Sequence, residues 1–374
     1  MNATPLPFLT SRSAQAPLCV GVKTQPEDFV VEELPLYAPS GSGTHLWLWI
    51  EKRNLSTFDA LRKLAQALKK RPADGGSAGL KDTKGLTRQW LTFEHVAPDL
   101  ERAASDGKLE LGDQLRVLRV TRHANKLKRG HAGGNRFEIV LRAEAPEASA
   151  NLRAEAERVL QELHRRGVPN YFGPQRFGRD GQNAHLGRLL VRGETDAYAE
   201  AAQAGGLRGP RARDKKLTNL FVNAFQAELF NAALARRMPE IDALWDGDLA
   251  FLHRNGAVFA VTEAAAEQPR CTALEISPSG PLFGPKLLFP AGKQEAIERA
   301  VLADSGVTLD DFGRPEAGRQ PGARRPLRVP LLDAPHLESA PEGVRLAFAL
   351  PAGSYATVVL REIVGDAAVS GAPE

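Results

Sequence analysis

Cysteine is almost missing from this sequence: Cys19 and Cys271 are the only two, and they lie far apart. Two distant thiols give no basis for a disulfide framework, and both are expected to be reduced and partly buried. The spacings CxxC, HxxxH and HExxH are absent, which removes the common zinc motifs. So is the GxxxxGK[ST] phosphate loop. The eight histidines show no pairing with a serine or cysteine in a hydrolase elbow and read as surface or core residues. No apolar run approaches the ~20 residues of a membrane helix. Residues 1–14 show no basic region followed by an apolar core, so no secretory signal is expected. There is no internal repeat.

What the sequence does hold is the composition of a globular chain, 43% hydrophobic and 25% charged. Its 374 residues exceed the ~250–300 at which a single core stops growing, so two domains are expected. The net charge is only +4, but the basic residues cluster at Lys69-Lys70-Arg71, at 122–129 and at 208–216. Such clusters read as local positive patches for nucleic acid or, equally, as solvated faces.

Periodicity gives mixed α+β texture. Phe29-Val30-Val31 and His45 to Ile50 read as strands, separated by a Pro/Gly/Ser turn. Ser56 and Asp59 form a capping box for a helix whose apolar stripe is Phe58, Leu61, Leu64, Ala65 and Leu68. Further strands are expected at 89–93, 115–120 and 136–142. In the last of these, Phe137, Ile139 and Leu141 share one face. Residues 147–166 read as a helix closed by Gly167. The middle is more helical, with Phe221, Phe225 and Leu229 four residues apart in a helix over 217–237. A Pro/Gly/Arg-rich linker is expected over 312–330. Then come a strand with Val344, Leu346, Phe348 and Leu350 in alternation, a helix over 355–364 capped by Ser354, and a disordered tail at 365–374.

Three segments can carry chemistry. In Gly79-Leu80-Lys81-Asp82-Thr83-Lys84-Gly85 an aspartate sits between two lysines in a glycine-bounded turn. Nearby cations keep a carboxylate ionised, and an ionised carboxylate on a constrained turn can act as a nucleophile. The bland reading is a turn aspartate bonded to its own backbone. The second segment holds Arg122, Lys126, Lys128 and Arg129 ahead of a Gly-rich turn, with Asn135 and Phe137 beyond it. The basic side chains can grip phosphates, and Asn135 and Phe137 can bond to and stack on an extruded base. The same residues also read as an exposed hairpin and a core phenylalanine. The third runs from Asn170-Tyr171-Phe172 through Arg176-Phe177-Gly178-Arg179. Aromatics interleaved with arginines suit RNA, with Arg176 a backbone contact, and equally suit a tight domain junction.

Taken together, these segments resemble the TruD family of pseudouridine synthases. The matching blocks are Lys23 to Phe29, Gly79 to Gln89, Arg122 to Phe137, Asn170 to Gly178 and Pro351 to Thr357, in the family's order. Agreement is weaker over 182–325, although Phe230-Asn231 and 277–282 fit. The resemblance implies a pseudouridine synthase fold with a mixed, mostly antiparallel sheet. That catalytic domain would be discontinuous, from residues 1–160 and 320–374, with an α+β TRUD domain inserted at 161–319 and an RNA cleft between the two. It implies Asp82 as nucleophile, with Lys23 beside it. It implies Phe29, Asn135, Phe137 and Phe348 as contacts to the target nucleotide, Phe137 lying under the base. By alternation alone, Phe348 reads as core. The implied activity is isomerisation of uridine in tRNA, with uridine-13 of the D-arm of glutamate tRNA as the family's usual target. The reaction breaks N1–C1′ and forms C5–C1′ with no redox step, so no cofactor and no metal are expected. Neither a membrane nor an obligate protein partner is expected, and the cytoplasm is the expected location. The rival readings are a non-catalytic RNA-binding or RNA-chaperone protein on the same fold, and an enzyme acting on phosphorylated small molecules.

Overall fold

A computed structural model describes residues 6–10, 20–143, 146–207 and 214–366. Cys19, the arginines 208, 211 and 213 of the third basic cluster, and tail residues 367–374 lie outside the described residues. In chain order the elements begin with β1 (Val20–Val22), β2 (Phe29–Pro35), β3 (His45–Arg53), α1 (Thr57–Ala67), β4 (Gly76–Ser77) and β5 (Leu86–Glu94). Next are α2 (Pro98–Ser105), β6 (Leu115–His123), β7 (Ala132–Ala143), α3 (Pro146–Arg166), β8 (Val168–Pro169), α4 (Gln182–Arg192) and α5 (Thr195–Ala204). Then follow α6 (Lys215–Arg237), β9 (Leu249–Leu252), β10 (Val258–Ala260), α7 (Ala264–Thr272), β11 (Ile276–Leu282) and α8 (Gly292–Ser305). The last are β12 (Ala323–Pro326), β13 (Arg328–Val329), β14 (His336–Ala340), β15 (Gly343–Pro351) and α9 (Ala356–Val364). Among the described residues no helix is long and apolar enough to cross a membrane.

The chain divides into two compact units. The first is bounded in sequence by 14–161, 331–356 and 363–374, the second by 1–13, 162–330 and 357–362. In the first, nine strands form one sheet ordered β14-β15-β7-β2-β5-β3-β6, with β1 on β7 and β4 on β5. Among the described residues only the β2–β5 pairing of this sheet is parallel, so the sheet is mixed and mostly antiparallel. Alternation fixes its two faces. Leu46, Leu48 and Ile50 of β3 face the same way as Leu91 and Phe93 of β5, and all are buried in one core with Leu64 and Leu68 of the α1 segment. Trp47 and Trp90 project to the opposite face, where they pack with Ala78 and Leu127.

The start of α1 is set by its cap. Ser56 Oγ accepts from the Asp59 amide at 3.0 Å and donates to Asp59 Oδ2 at 2.6 Å. A cap of this kind contributes about 1 kcal/mol, and it holds Thr57 at the first helical position. Phe58 departs from the expected stripe: it is 61% exposed. It stands one residue round the helix from Thr57, which is turned inward to make polar contacts. The helix ending at Gly167 is closed as its sequence suggests, with Gly167 at φ 81° and its amide bonded to Leu163 O at 2.8 Å.

In the second unit, Phe221, Phe225 and Leu229 of α6 are buried with Leu186 and Leu190 of α4, and with Phe283 and Phe312. Its strands form a sheet ordered β10-β9-β11-β12 and a β8–β13 pair. The expectation of a linker over 312–330 is corrected. Phe312, Ala317 and Leu327 are fully buried, and β12 and β13 lie within the segment. Its Pro, Gly and Arg content reflects tight turns and a buried ion pair, Arg324 with Glu298, rather than a loose tether. The last helix begins at Ala356, one residue later than expected from Ser354 as cap.

Candidate active site

Asp82 lies in the turn between β4 and β5, and the main chain around it is tied at Gly79, Lys81, Asp82 and Gly85. Gly79 O accepts from Gln89 Nε2 at 3.3 Å, and the Lys81 amide donates to Thr57 Oγ1 at 3.0 Å. Thr57 Oγ1 in turn donates to Gln89 Oε1 at 3.0 Å. The carbonyl of Asp82 itself accepts from Lys52 Nζ at 2.6 Å. The Gly85 amide donates to Asn54 Oδ1 at 3.1 Å, and the Asn54 amide to Gly85 O at 3.0 Å. Gly85 has φ 116°, and a Cβ there would stand 2.6 Å from Phe29 O, so only glycine lets the turn close onto β2. The result is a half-exposed carboxylate on a fixed backbone, which is what a nucleophile on a pre-organised turn requires.

The charges around it differ from those its sequence neighbours suggest. Lys81 Nζ pairs with Glu33 Oε2 at 2.9 Å, with side-chain exposures of 6% and 1%. Two other lysines feel the Asp82 charge. Burial pushes Lys23 down from the ordinary lysine value, opposed by Asp82, with Lys84 adding to the depression. Burial pushes Lys52 down to about 8, again opposed by Asp82, with Lys81 adding to the depression. Lys23 also carries a positive φ of 58°, a conformation that costs a side-chain-bearing residue energy and persists where the surroundings impose it.

Lys52, Glu33, Thr57 and Gln89 were not singled out from sequence, although a signal was there for the first two. Lys52 continues the inward phase of Leu46, Leu48 and Ile50, and Glu33 continues that of Phe29 and Val31. A charged residue in phase with a buried face is a departure that calls for a partner or a role.

The strand register brings the proposed nucleotide contacts together. Phe137 of β7 lies opposite Val31 of β2 and Phe348 of β15, so all three share a face. Phe29 and Phe137 have ring centroids 6.3 Å apart, Phe137 and Phe348 5.5 Å. All three rings are buried, and Lys23 Nζ sits 3.8 Å from the centroid of Phe29. Core packing and proximity to the site therefore hold at once for Phe137 and Phe348. Asn135 lies opposite Glu33 on β2, and its buried Oδ1 has no hydrogen-bond partner among the described residues.

The basic candidates are of unequal character. Arg122 is committed: its Nε donates to Glu101 Oε1 at 3.0 Å and its Nη1 to Gly43 O at 3.2 Å. Lys126 Nζ donates to Ala73 O at 3.3 Å, while Lys128 and Arg129 are exposed. Their loop is joined to the Asp82 segment, the Gly130 amide donating to Ala78 O at 3.1 Å. Arg176 lies in the second unit, 5.7 Å from the Phe172 ring centroid, with its buried Nε unpaired among the described residues. Its segment is built into that unit: Asn231 bonds Phe172 at both main-chain groups, and Asn170 Nδ2 donates to Pro326 O.

Comparison with known proteins places this geometry. The model of the family described as tRNA pseudouridine synthase D (TruD) matches residues 13–205 and 207–363. A tRNA pseudouridine synthase D of Geobacter metallireducens is 40% identical over 92% of this chain and 94% of its own. One from Anaeromyxobacter dehalogenans strain 2CP-C is 42% identical over 96% of each chain. The crystal structure of a Methanosarcina mazei protein assigned as a tRNA pseudouridine synthase D superposes with a TM-score of 0.75. It covers 96% of each chain at 24% identity, and so shows the shared fold. The fold is that of a pseudouridine synthase, and this chain belongs to the TruD family, the tRNA pseudouridine synthases D.

Proposed function

We propose that this chain isomerises uridine-13 in the D-arm of tRNA, glutamate tRNA above all, with Asp82 as the nucleophile. The observation that carries the nucleophile is the half-exposed Asp82 carboxylate on a turn fixed from β3, β5 and α1, with two depressed lysines sensing its charge. The tRNA position rests on the family alone. All six proposed catalytic and nucleotide-contacting residues belong to the first unit, which we assign as the catalytic domain, with the second as the inserted TRUD domain. A tRNA substrate supports the cytoplasm as its location.

The chemistry asks little beyond positioning. The N1–C1′ bond breaks as the Asp82 carboxylate acts on the nucleotide. The uracil turns, C5 bonds to C1′, the C5 proton leaves and N1 takes one up, so substrate and product are isomers. The target base must leave its stack, at a cost of a few kcal/mol. The rings of Phe29, Phe137 and Phe348 form an apolar floor for it. The unpaired Asn135 Oδ1 suits the N3–H of uracil.

The test is to incubate the purified protein and its Asp82→Ala variant with unmodified tRNA transcripts and to map pseudouridine by derivatisation and sequencing. A D-arm pseudouridine made by the wild type alone is expected. A product at another position would keep the nucleophile and overturn the target. Tight tRNA binding without product would favour a non-catalytic RNA-binding protein.

A further inference from the structure

We propose that Lys52 is a positioning residue for the reaction, holding the Asp82 main chain and serving as the buried counter-charge of its carboxylate. This rests on Asp82 as the nucleophile. Lys52 leaves β3 on the core side and is 1% exposed. Its neighbours across the sheet are Thr87 of β5 and Leu115 of β6, neither of which carries charge. An ammonium removed from water costs several kcal/mol unless it is paired and hydrogen-bonded. Among the described residues no carboxylate touches Lys52, and its hydrogen bond is to Asp82 O at 2.6 Å. The charged groups facing it are Lys81 and Asp82 of the turn, and Glu33 of β2 is already matched to Lys81 at 2.9 Å. Among the described residues, Asp82 is the one acid left to answer Lys52.

Two consequences follow for the reaction. The bond to the carbonyl fixes the peptide plane that follows Asp82, and with it the direction of the carboxylate. The ammonium favours the anionic carboxylate at rest and again when the nucleotide is released, so deprotonating Lys52 weakens both effects. Burial has already brought Lys52 down to about 8, so that loss falls on the alkaline side of neutrality.

The experiment measures kcat and KM on a tRNA transcript as a function of pH for the wild type, Lys52→Arg and Lys52→Met. The titration of Lys52 is followed by NMR of lysine-labelled protein, in the wild type and in Asp82→Asn. Lys52→Met is expected to lower kcat about 100-fold at neutral pH with KM changed less than about twofold, the scale of losing one pre-organised charge. The wild type is expected to lose kcat as pH rises through about 8. Lys52→Arg, which cannot deprotonate, is expected to hold its kcat there. Asp82→Asn is expected to lower the Lys52 titration further, because the coupling is reciprocal. An alkaline decline that persists in Lys52→Arg, or a fully active Lys52→Met, overturns the proposal. Should Lys52→Met fail to fold, the NMR titration decides: an unshifted Lys52 in Asp82→Asn removes the coupling. An active Asp82→Asn enzyme would instead remove the nucleophile assignment.

Discussion

Lys81, the residue before Asp82, forms a buried ion pair with Glu33, 2.9 Å between Nζ and Oε2. Glu33 Oε1 also accepts from the Trp90 amide at 3.2 Å, while Oε2 meets Lys81 as a charge contact without the alignment of a hydrogen bond. The pair thus joins β2, β5 and the Asp82 turn. Removing one partner leaves a buried charge unanswered, which costs about 3–5 kcal/mol. Glu33→Gln is therefore expected to destabilise the protein by that order in urea unfolding and to lower kcat as well. The double variant Glu33→Leu, Lys81→Met replaces the pair with apolar bulk and is expected to recover most of the stability. If it recovers kcat too, the pair serves folding rather than the placement of Asp82.

Much of the fold was legible because the first unit's strands alternate cleanly and α1 carries its cap in plain view. Two departures from the sequence reading have physical reasons. Lys81 and Lys84 are nearest to Asp82 along the chain, but side-chain charge acts through space. Strand phase turns Glu33 toward Lys81 and brings Lys52, thirty positions away, onto the Asp82 carbonyl. The 312–330 segment has the composition of a linker, yet Arg324 pairs with buried Glu298 and Arg325 bonds Asn170 Oδ1. Composition cannot tell a solvated arginine from one whose partner arrives from another part of the chain. Likewise, no local period could reveal that β15 pairs along its whole length with β7.

The loop ahead of β7 makes a graded prediction about RNA. Lys128 and Arg129 are exposed, Lys126 makes one contact to a carbonyl, and Arg122 is held by Glu101. Each phosphate contact adds ~0.7–0.9 to the slope of log affinity against log salt. Replacing Lys126, Lys128 and Arg129 together by alanine is expected to flatten that slope by about 2 in a filter-binding titration. Arg122→Ala alone is expected to leave the slope near the wild-type value and to lower the melting temperature, since it frees Glu101 on α2. An unchanged slope in the triple variant would remove this loop from the phosphate contacts.

His253 gives the second unit an acid-side weakness. Its Nε2 lies 2.8 Å from Ser277 Oγ, and burial, with the charge of Arg328, pushes the imidazole down to about 4. The unfolded chain protonates near the ordinary histidine value of about 6.5. Between the two values the unfolded state binds a proton that the folded state refuses, so stability falls as pH falls through that window. His253→Gln keeps a polar partner for Ser277 without the titration. Calorimetric melting is expected to show a smaller loss of Tm between about pH 7 and about pH 4.5 in the variant than in the wild type. Equal losses would mean that His253 takes up its proton without unfolding.

Arg237 and Asp248 test how far shape, beyond charge, stabilises the second unit. Arg237 Nη1 and Nη2 donate to the two Asp248 oxygens at 2.9 and 2.8 Å, in the bidentate form that only a guanidinium provides. The other donors reach Gln294 Oε1, Ala243 O and Glu240 O, so the full set of five is used. The Trp245 ring lies 3.3 Å away, and its amide donates to Asp248 Oδ2. Lysine keeps the charge but has three donors on a single point and cannot span this set. Arg237→Lys is therefore expected to cost about 3 kcal/mol and Arg237→Ala about 3–5 kcal/mol, the latter leaving Asp248 buried without its partner. Neither variant touches the contacts of Asp82, so kcat measured well below the melting temperature is expected to stay within about twofold of wild type. An Arg237→Lys protein as stable as wild type would show that charge alone, without the planar fork, satisfies Asp248.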